Sequence, residues 1–349
     1  MTHTAEAVMS LPTISREYRT QGDGYQNLKL QSATLSKPKG TEVTVKIHAV
    51  SLQFRDLMVS KGIYPQQKWD IVPCSDGAGE IVALGEEVKG WKIGDRVCPN
   101  FALDHIHGDV TEDIKLTGLG GHIDGVLREY INVPVHSLVR IPEYLSYEEG
   151  STLPCAALTA YNACLGPVPL KGGDYVLVLG TGGVSIFAAQ FALASGAIVI
   201  VTSSSDEKLQ VAKKLGVQHT INYKKNVKWD EEVLNITGGR GVDHIIEVGG
   251  PNTILKSINA VRYAGWIHII GFVSGGDNGI PVTLAILKTI IFRGILIGSV
   301  KQFEDMNRLL TARQIRPVVD KVFSFEQATE AYAYLESQHH VGKVVIKLA

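Results

Sequence analysis

The amino-acid sequence predicts an α/β protein built from two unlike parts, a small antiparallel β-barrel and a parallel sheet covered by helices on both faces. Up to about residue 155, short β-like runs are separated by Gly, Pro and Asp, as in antiparallel strands joined by turns. From about residue 157, continuous apolar runs alternate with helical segments, which is typical of a parallel sheet buried on both faces.

The predicted elements follow this division. In the first part we expect strands over 43–52, 79–85, 95–101 and 127–133. In the second part we expect strands over 175–180, 197–203, 219–223, 244–249 and 266–272, with helices over 185–196 and 206–216. The tail resumes the first pattern, with a strand over 294–300, helices around 303–313 and 326–336, and a last strand from residue 343. We therefore predict a barrel domain of residues 1–156 and 298–349, into which residues 157–297 are inserted as the parallel-sheet domain.

Charge, cysteine usage and hydropathy exclude several classes of protein. With 34 Lys and Arg against 35 Asp and Glu, the formal net charge of -1 leaves no basic field for a nucleic acid. The N-terminus lacks a basic region followed by an apolar one, and the apolar stretch 283–292 is well short of the roughly 20 residues that cross a bilayer. No CxxC pair is present, so spacing indicates neither a zinc ribbon nor a disulfide framework. We expect a cytoplasmic protein with reduced thiols and neither nucleic-acid nor membrane partners.

A glycine-rich turn between a predicted strand and a predicted helix is the first candidate site. It comprises Gly180, Thr181, Gly182, Gly183 and Val184. Such a turn lets backbone N–H groups approach a pyrophosphate at the helix N-terminus, where the partial positive charge favours an anion. The third glycine of the GxGxxG pattern is replaced by a small residue, Ser185. The alternative is a glycine-rich turn that binds no ligand.

The end of the next predicted strand decides between the two nicotinamide cofactors. NAD is usually held there by an Asp or Glu that binds the ribose 2′-hydroxyl. This sequence instead has Ser203, Ser204 and Ser205, followed by Lys208, and hydroxyls with an ammonium suit the 2′-phosphate of NADPH. Asp206 and Glu207 weaken this preference unless they only cap the helix. The alternative is a polar turn and helix cap. Tyr223 either stacks near the adenine or packs at the sheet edge.

Several segments carry a resemblance to a known family. They read AVSLQFRDLMVSKGIYP (49–65), PCSDGAGEIVALGEEVKGWKIGDRV (73–97), TLPCAALTAYNAC (152–164) and TGGRGVDHIIEVGGP (237–251). Together with the glycine turn, they resemble the medium-chain dehydrogenase/reductase superfamily over almost the whole chain. The resemblance implies a GroES-like barrel domain, a Rossmann domain, a cleft between them, and commonly a homodimer formed through the Rossmann sheet edge.

The sequence departs from the zinc-dependent members of that superfamily. Their catalytic zinc is held by a Cys, by the His of a GHE motif, and by a further Cys or acid. Here the first position is Gln53, the motif reads Cys74-Ser75-Asp76, and only Cys155 remains. These residues do not supply the three ligands that a catalytic zinc needs, so we predict no metal. A second group of potential ligands is better explained as a polar, solvated loop: Asp104, His105, His107 and Asp109.

Without zinc, the sequence resembles the quinone oxidoreductase and enoyl reductase branch, which reduces activated double bonds with NADPH. Hydride moves from nicotinamide C4 to an electrophilic carbon, and the resulting enolate must be stabilised and protonated. By this resemblance Tyr64 is the candidate proton donor, and Gln53 hydrogen-bonds either the substrate carbonyl or the nicotinamide. Tyr64 is otherwise an ordinary packing residue. The alternative functions are an NADPH-dependent carbonyl reductase or alcohol dehydrogenase, and a cofactor-binding protein without turnover.

The remaining cofactor contacts are expected at the ends of the parallel strands, where open sheets bind their ligands. By resemblance they follow the ribose and nicotinamide: Val248, Gly249, Gly271, Phe272, Ile297, Gly298 and Ser299, with Lys343 approaching from the barrel side. Each glycine is otherwise a turn glycine. Segments 102–124 and 274–293 are expected to shape the pocket for a small-molecule substrate, whose identity their side chains leave open.

Overall fold

The computed structural model describes residues 11–273 and 279–348, and the chain has the predicted α/β architecture. Its strands are β1 (Ile14–Arg19), β2 (Lys29–Thr34), β3 (Glu42–Ser51), β4 (Asp76–Leu84), β5 (Arg96–Pro99), β6 (Tyr130–Pro134), β7 (Leu138–Arg140), β8 (Tyr175–Leu179), β9 (Ile198–Ser203), β10 (His219–Asn222), β11 (Val242–Glu247), β12 (Val261–Ile269), β13 (Ile291–Gly294), β14 (Val319–Ser324) and β15 (Lys343–Lys347).

The helices are α1 (Phe54–Ser60), α2 (Glu112–Lys115), α3 (Tyr147–Gly150), α4 (Leu158–Leu165), α5 (Gly183–Ala194), α6 (Asp206–Lys214), α7 (Trp229–Ile236), α8 (Ile254–Ala260), α9 (Val282–Leu287), α10 (Val300–Arg313) and α11 (Ala328–Glu336). A π-helical turn, Leu153–Ala157, leads directly into α4. Within the described residues, no helix is both long and apolar enough to span a bilayer.

The parallel sheet has six strands in the order β10-β9-β8-β11-β12-β13, and every pairing in it is parallel. Strands β8 and β11 are neighbours although two strands lie between them in the chain, so the strand order reverses there. Apolar side chains cover both faces of β8, since Val176 and Val178 lie in one buried cluster and Leu177 and Leu179 in another. A doubly wound sheet of this kind opens a crevice at the carboxyl ends of its strands, beside the reversal.

The second sheet has seven strands, with the order β14-β15-β3-β4-β5-β7 and with β6 also paired to β3. All its pairings are antiparallel except that between β14 and β15. The tail returns to the first part of the chain here, because β15 pairs with β3 in a register that sets Val345 opposite Ser51. This pairing brings the C-terminal strand to the start of α1, where several candidate site residues lie.

The predicted strand over 294–300 is wrong. Strand β13 ends at Gly294, and Ile297 has a φ of 54°, a left-handed conformation that a β-branched residue adopts only under constraint. Ser299 then accepts a hydrogen bond from the Gln302 N–H and starts α10, three residues before the predicted helix. An apolar run therefore resembled a strand although the chain turns within it.

The sequence analysis also missed the β1–β2 hairpin and the short helices α1, α8 and α9. Helix α10 packs Phe303 and Met306 into the same buried cluster as Phe187 and Phe191 of α5. The domain boundaries at 156/157 and 297/298 stay predictions. Of the segment expected to shape the pocket, residues 274–278 lie outside the described residues.

Candidate active site

The glycine turn lies between β8 and α5, at the reversal of strand order. Gly180 has a φ of 76°, which favours glycine. Gly182 precedes the first turn of α5, and a Cβ added there would have nothing within 4 Å. The start of this 12-residue helix therefore has room beside Gly182, and the positive end of a helix suits an anionic group. The hydroxyl of Ser185 donates to the Leu179 carbonyl at 2.7 Å, so this side chain ties helix to strand where the usual pattern has its third glycine.

The antiparallel sheet contacts the glycine turn through the start of β15, at Gly342 and Lys343. Gly342 donates its N–H to the Thr181 carbonyl at 2.9 Å, and Lys343 follows at the start of β15. A Cβ added to Gly183 would lie 2.5 Å from Lys343 Cδ, so the lysine stem crosses the turn directly above that glycine. The ammonium is buried and donates to the Leu52 carbonyl. Burial lowers the pKa of Lys343, and the neighbouring Asp76 carboxyl opposes this effect.

Asp76 is the centre of a buried polar cluster beyond Lys343. Its carboxylate accepts hydrogen bonds from the Ser75 hydroxyl at 2.6 Å, from the Cys155 N–H at 3.2 Å and from the Gln53 side-chain amide. Burial raises the pKa of Asp76, while Lys343 lowers it. The candidate residue Gln53 is thus bound to Asp76 through its amide nitrogen, which leaves its amide oxygen as an acceptor.

Asp56, in the first turn of α1, is a second carboxylate of this cluster. It is fully buried, and one oxygen accepts the Gln53 N–H at 2.7 Å while the other has no partner. Burial raises the pKa of Asp56 to about 7, whereas the charges of Arg55 and Lys343 lower it and that of Asp76 raises it. The sequence analysis missed both carboxylates as members of one network.

These residues stand where the family resemblance places the catalytic zinc ligands, and they do not fit a zinc ion. The Gln53 amide is bound to Asp76, burial raises the pKa of the Cys155 thiol, and the Lys343 ammonium lies close by. Zinc needs deprotonated ligands and repels a neighbouring ammonium. Within residues 11–273 and 279–348, no group of three His, Cys, Asp or Glu side chains has a metal-binding arrangement. In the polar loop, His105 instead pairs with the Gly108 carbonyl and Asp104 with His136.

The candidate 2′-phosphate residues lie at the end of β9 and in the first turn of α6, and Ser203 contacts the glycine turn. Ser203 Oγ is 3.5 Å from Thr181 Oγ1, and the Ser205 hydroxyl accepts the Lys208 N–H at 3.4 Å and so caps α6. Ser204 stands between these two serines and is half-buried. The Lys208 ammonium donates to the carbonyl of Gln338, which lies between α11 and β15. Burial lowers the pKa of Lys208.

The two acidic residues that weakened the NADPH prediction, Asp206 and Glu207, both accept hydrogen bonds from neighbouring side chains. Asp206 binds Asn222 at 2.7 Å and forms an ion pair with Lys225, so its charge is directed towards β10. Glu207 is exposed and accepts a hydrogen bond from the Ser205 hydroxyl at 3.3 Å. Tyr223 is exposed at the end of β10 and donates its N–H to the Ser203 carbonyl. The charge of Asp206 is therefore paired with Lys225, and Ser203 is the serine that contacts the glycine turn, through Thr181.

The ends of β11 and β12 place four more candidates close together, namely Val248, Gly249, Gly271 and Phe272. A Cβ added to Gly271 would lie 2.7 Å from the Val248 carbonyl, and one added to Gly249 would overlap the Thr253 side chain. Both glycines are therefore required by close packing, whatever ligand binds. Phe272 is exposed beside them.

The carboxylate of Glu247 organises this turn and escaped the sequence analysis. It is fully buried and accepts the N–H groups of Gly249 and Gly250, at 2.8 and 3.0 Å, and the Thr253 hydroxyl at 2.6 Å. The available signal was an acidic residue at the end of an otherwise apolar strand.

Two buried amides, also missed, hold the segment Ile297–Gly298–Ser299. Asn162 donates to the Ile297 carbonyl at 2.7 Å, and Asn100 donates to the Gly298 carbonyl at 3.3 Å. Ile297 packs against Phe101 and Cys155, so this segment lies beside the π-helical turn. Ser299 is buried as the cap of α10.

Tyr64 lies apart from the Asp76 cluster, in the turn after α1. Its ring is faced by the Arg55 guanidinium, at 4.6 Å from the ring centroid, and meets the His122 ring edge-on at 5.6 Å. The side chain is half-buried. Arg55 and His122 were not among the residues that sequence reasoning selected.

Comparison with known proteins agrees with this geometry. The model described as alcohol dehydrogenase GroES-like domain matches residues 39–143, and the model described as zinc-binding dehydrogenase matches residues 183–312. A zinc-type alcohol dehydrogenase-like protein of Schizosaccharomyces pombe is 48% identical over 334 residues, which cover 93% of this chain and 96% of that protein. The chain belongs to the medium-chain dehydrogenase/reductase superfamily.

The chain is also similar to a reductase and to an alcohol dehydrogenase of known structure. An acryloyl-coenzyme A reductase of Metallosphaera sedula is 30% identical over 331 residues, covering 93% of this chain and 96% of that protein. A crystal structure of an alcohol dehydrogenase from Sinorhizobium meliloti superposes with a TM-score of 0.90 at 37% identity, covering 97% of this chain and all of the other. This medium-chain dehydrogenase/reductase therefore has an oxidoreductase fold that binds a nicotinamide dinucleotide.

Proposed function

We propose that this medium-chain dehydrogenase/reductase is a zinc-independent, NADPH-dependent enzyme that transfers hydride to an activated carbon–carbon double bond in an enone, enoyl or quinone substrate. The observation that carries the proposal is the hydrogen-bonded cluster around Asp76, which stands at the position of the family's zinc ligands beside an intact glycine turn. The similarity to acryloyl-coenzyme A reductases supports the substrate class.

The bound cofactor supplies the hydride, and the protein supplies binding and a proton. The N–H groups at the start of α5 would hold the pyrophosphate, and Ser203, Ser205 and Lys208 would hold the 2′-phosphate. Because the Gln53 amide nitrogen is bound to Asp76, its amide oxygen is the atom that would meet a ligand, and an acceptor suits the N–H₂ of the nicotinamide carboxamide better than a substrate carbonyl. Tyr64 donates the proton to the enolate.

One product analysis tests the proposal. The protein is incubated with NADPH and an enone, with and without a zinc chelator, and the products are separated. We expect a saturated ketone at an unchanged rate in the chelator. An allylic alcohol would instead indicate a carbonyl reductase, and bound NADPH without turnover would indicate a cofactor-binding protein.

We further propose a homodimer formed through the edge of the parallel sheet. Strand β13 is the last strand of that sheet, and α9, next to it in the chain, exposes Val282, Ile286 and Leu287 by 68, 68 and 66%. Neighbouring exposed apolar groups of this kind mark association surfaces. A cytoplasmic location is supported by the four cysteines, which are buried and unpaired.

A further inference from the structure

The guanidinium of Arg55 packs against two aromatic rings, those of Tyr64 and Phe101. It is 4.6 Å from the ring centroid of Tyr64 and 4.5 Å from that of Phe101. One terminal nitrogen, Nη1, donates to the Leu119 carbonyl at 2.9 Å. The other two nitrogens, Nε and Nη2, are buried without a partner. Unpaired buried donors cost free energy, so the stacking and the single hydrogen bond keep the side chain in a position that is otherwise unfavourable.

Gly121 makes this arrangement possible. A Cβ added there would overlap Arg55 Nη2 and lie 3.1 Å from Tyr64 Cε1, so the guanidinium and the tyrosine ring both rest against the same glycine. The next residue, His122, meets the Tyr64 ring edge-on. The segment 102–124 therefore contacts both side chains: Gly121 and His122 contact Tyr64, and Leu119 and Gly121 contact Arg55.

Tyr64 has few restraints of its own. It lies in the turn after α1, where its N–H donates to Gln67 Oε1 at 3.1 Å. Arg55, in contrast, lies in the first turn of α1, between Gln53 and Asp56, whose mutual hydrogen bond starts that helix. Helix α1 thus contacts the Tyr64 ring through the Arg55 side chain.

We propose that Arg55 is a positioning residue for Tyr64, holding the phenol ring in the orientation needed for proton transfer and linking it to the segment 102–124. This inference rests on the proposed role of Tyr64 as proton donor. Phe101, the other ring against Arg55, lies in one apolar cluster with Cys155, and Ile297, which is expected at the nicotinamide, packs against that cluster. A small displacement of a reacting group costs up to about 10²-fold in rate, which sets the expected effect.

A double-mutant cycle tests the proposal by comparing Arg55→Met, Tyr64→Phe and the double variant in steady-state reduction of an enone. We expect Arg55→Met to lower kcat about 10- to 100-fold with little change in KM for NADPH, and to increase the solvent isotope effect. In the Tyr64→Phe background the same change should cost less than about 3-fold, because the group that Arg55 positions is then gone. Arg55→Lys, which keeps the charge, should recover part of the rate.

Arg96→Met is a matched control, because the Arg96 guanidinium lies 4.6 Å from the Tyr147 ring centroid and donates to the Glu143 and Leu145 carbonyls, outside the site. It should leave kcat unchanged.

If the fold-reductions in kcat caused by Arg55→Met and Tyr64→Phe simply multiply in the double variant, the two residues act independently. The positioning inference is then wrong, although the donor role of Tyr64 stands. If Tyr64→Phe alone keeps the full rate, the donor role fails first. Should Arg55→Met fold poorly, Arg55→Lys in both backgrounds makes the same comparison.

Discussion

Lys343 crosses the glycine turn directly over Gly183, and the glycine is the reason that it can. A Cβ at position 183 would lie 2.5 Å from Lys343 Cδ and 3.2 Å from the Ala156 Cβ, both closer than ordinary packing allows. Gly183 thus lets the stem of Lys343, at the start of the last strand, pass across the turn to the Asp76 cluster. The neighbouring glycine, Gly182, has no such restriction.

This relationship predicts that Gly183→Ala is destabilising before any ligand binds. The added methyl group must displace the buried Lys343 stem or Ala156, and overpacking of this kind costs about 1–3 kcal/mol. The free energy of unfolding in urea measures the loss without cofactor.

Gly182→Ala is the matched control for that experiment. Its φ of -75° is open to any residue and its Cβ would meet nothing within 4 Å, so its unfolding free energy should stay within about 0.5 kcal/mol of the parent. Equal losses for the two variants would contradict the crossing of Lys343 over Gly183.

The sequence was sufficient for the α/β fold and for the position of the glycine turn between β8 and α5, because both are local patterns. Continuous apolar runs report strands buried on two faces, and the order strand, glycine turn, helix lies within a short stretch of chain. The prediction that no metal binds was drawn from Gln53 and Cys74-Ser75-Asp76, which stand in recognisable segments, and it stays a prediction.

Contacts between distant segments were not predictable in this way. The approach of Lys343 to Gly183 joins residues that are far apart in the chain, and it depends on how β15 pairs with β3. The positive φ of Ile297 depends on the buried amides that hold that segment, so an apolar run there looked like a strand. Arg55 and Tyr64 are near neighbours, but their stacking depends on Gly121 and Leu119 from another loop.

Lys208→Glu should distinguish the two cofactors. The change removes the ammonium that binds the Gln338 carbonyl, which affects NADPH and NADH alike, but the new carboxylate repels only the 2′-phosphate. We expect the affinity for NADPH to fall about 10-fold or more relative to that for NADH. Cofactor fluorescence titration measures both dissociation constants.

Lys213→Glu makes the same change of charge on the same helix, at an exposed position one turn or more from the serines. It should alter the ratio of the two affinities far less. A ratio unchanged by Lys208→Glu would remove the 2′-phosphate assignment and favour a polar turn.

Asp56→Asn should change how stability depends on pH. Burial raises the pKa of Asp56 to about 7 in the folded chain, so the native state keeps a proton that the unfolded chain loses near pH 4. The unfolded state therefore binds fewer protons between about pH 4 and pH 7, and stability falls as pH rises through that window. The shift corresponds to at most about 4 kcal/mol, because the pKa difference is about three units.

The asparagine variant has no such carboxyl, and its amide nitrogen can stand where the unpaired oxygen now lies. Compared with the parent at the same pH, the variant should be more stable at pH 8 than at pH 5. Urea unfolding at both pH values measures this difference, with Asp23→Asn at an exposed position as the control. A relative stability that is the same at the two pH values would show that Asp56 titrates normally in the folded chain.

Ile286→Lys should separate the proposed dimer into monomers. The side chain is 68% exposed on α9, close to the edge strand β13, so a charge there is harmless in a monomer but is buried unpaired when two such edges meet. Light scattering after gel filtration should give twice the chain mass for the parent and the single chain mass, 37.8 kDa, for the variant. Ile93→Lys, at a site on the barrel that is 54% exposed, should remain a dimer. A parent protein that elutes as a monomer at micromolar concentration would exclude this edge as a stable interface, and the exposed apolar side chains of α9 would then need another partner.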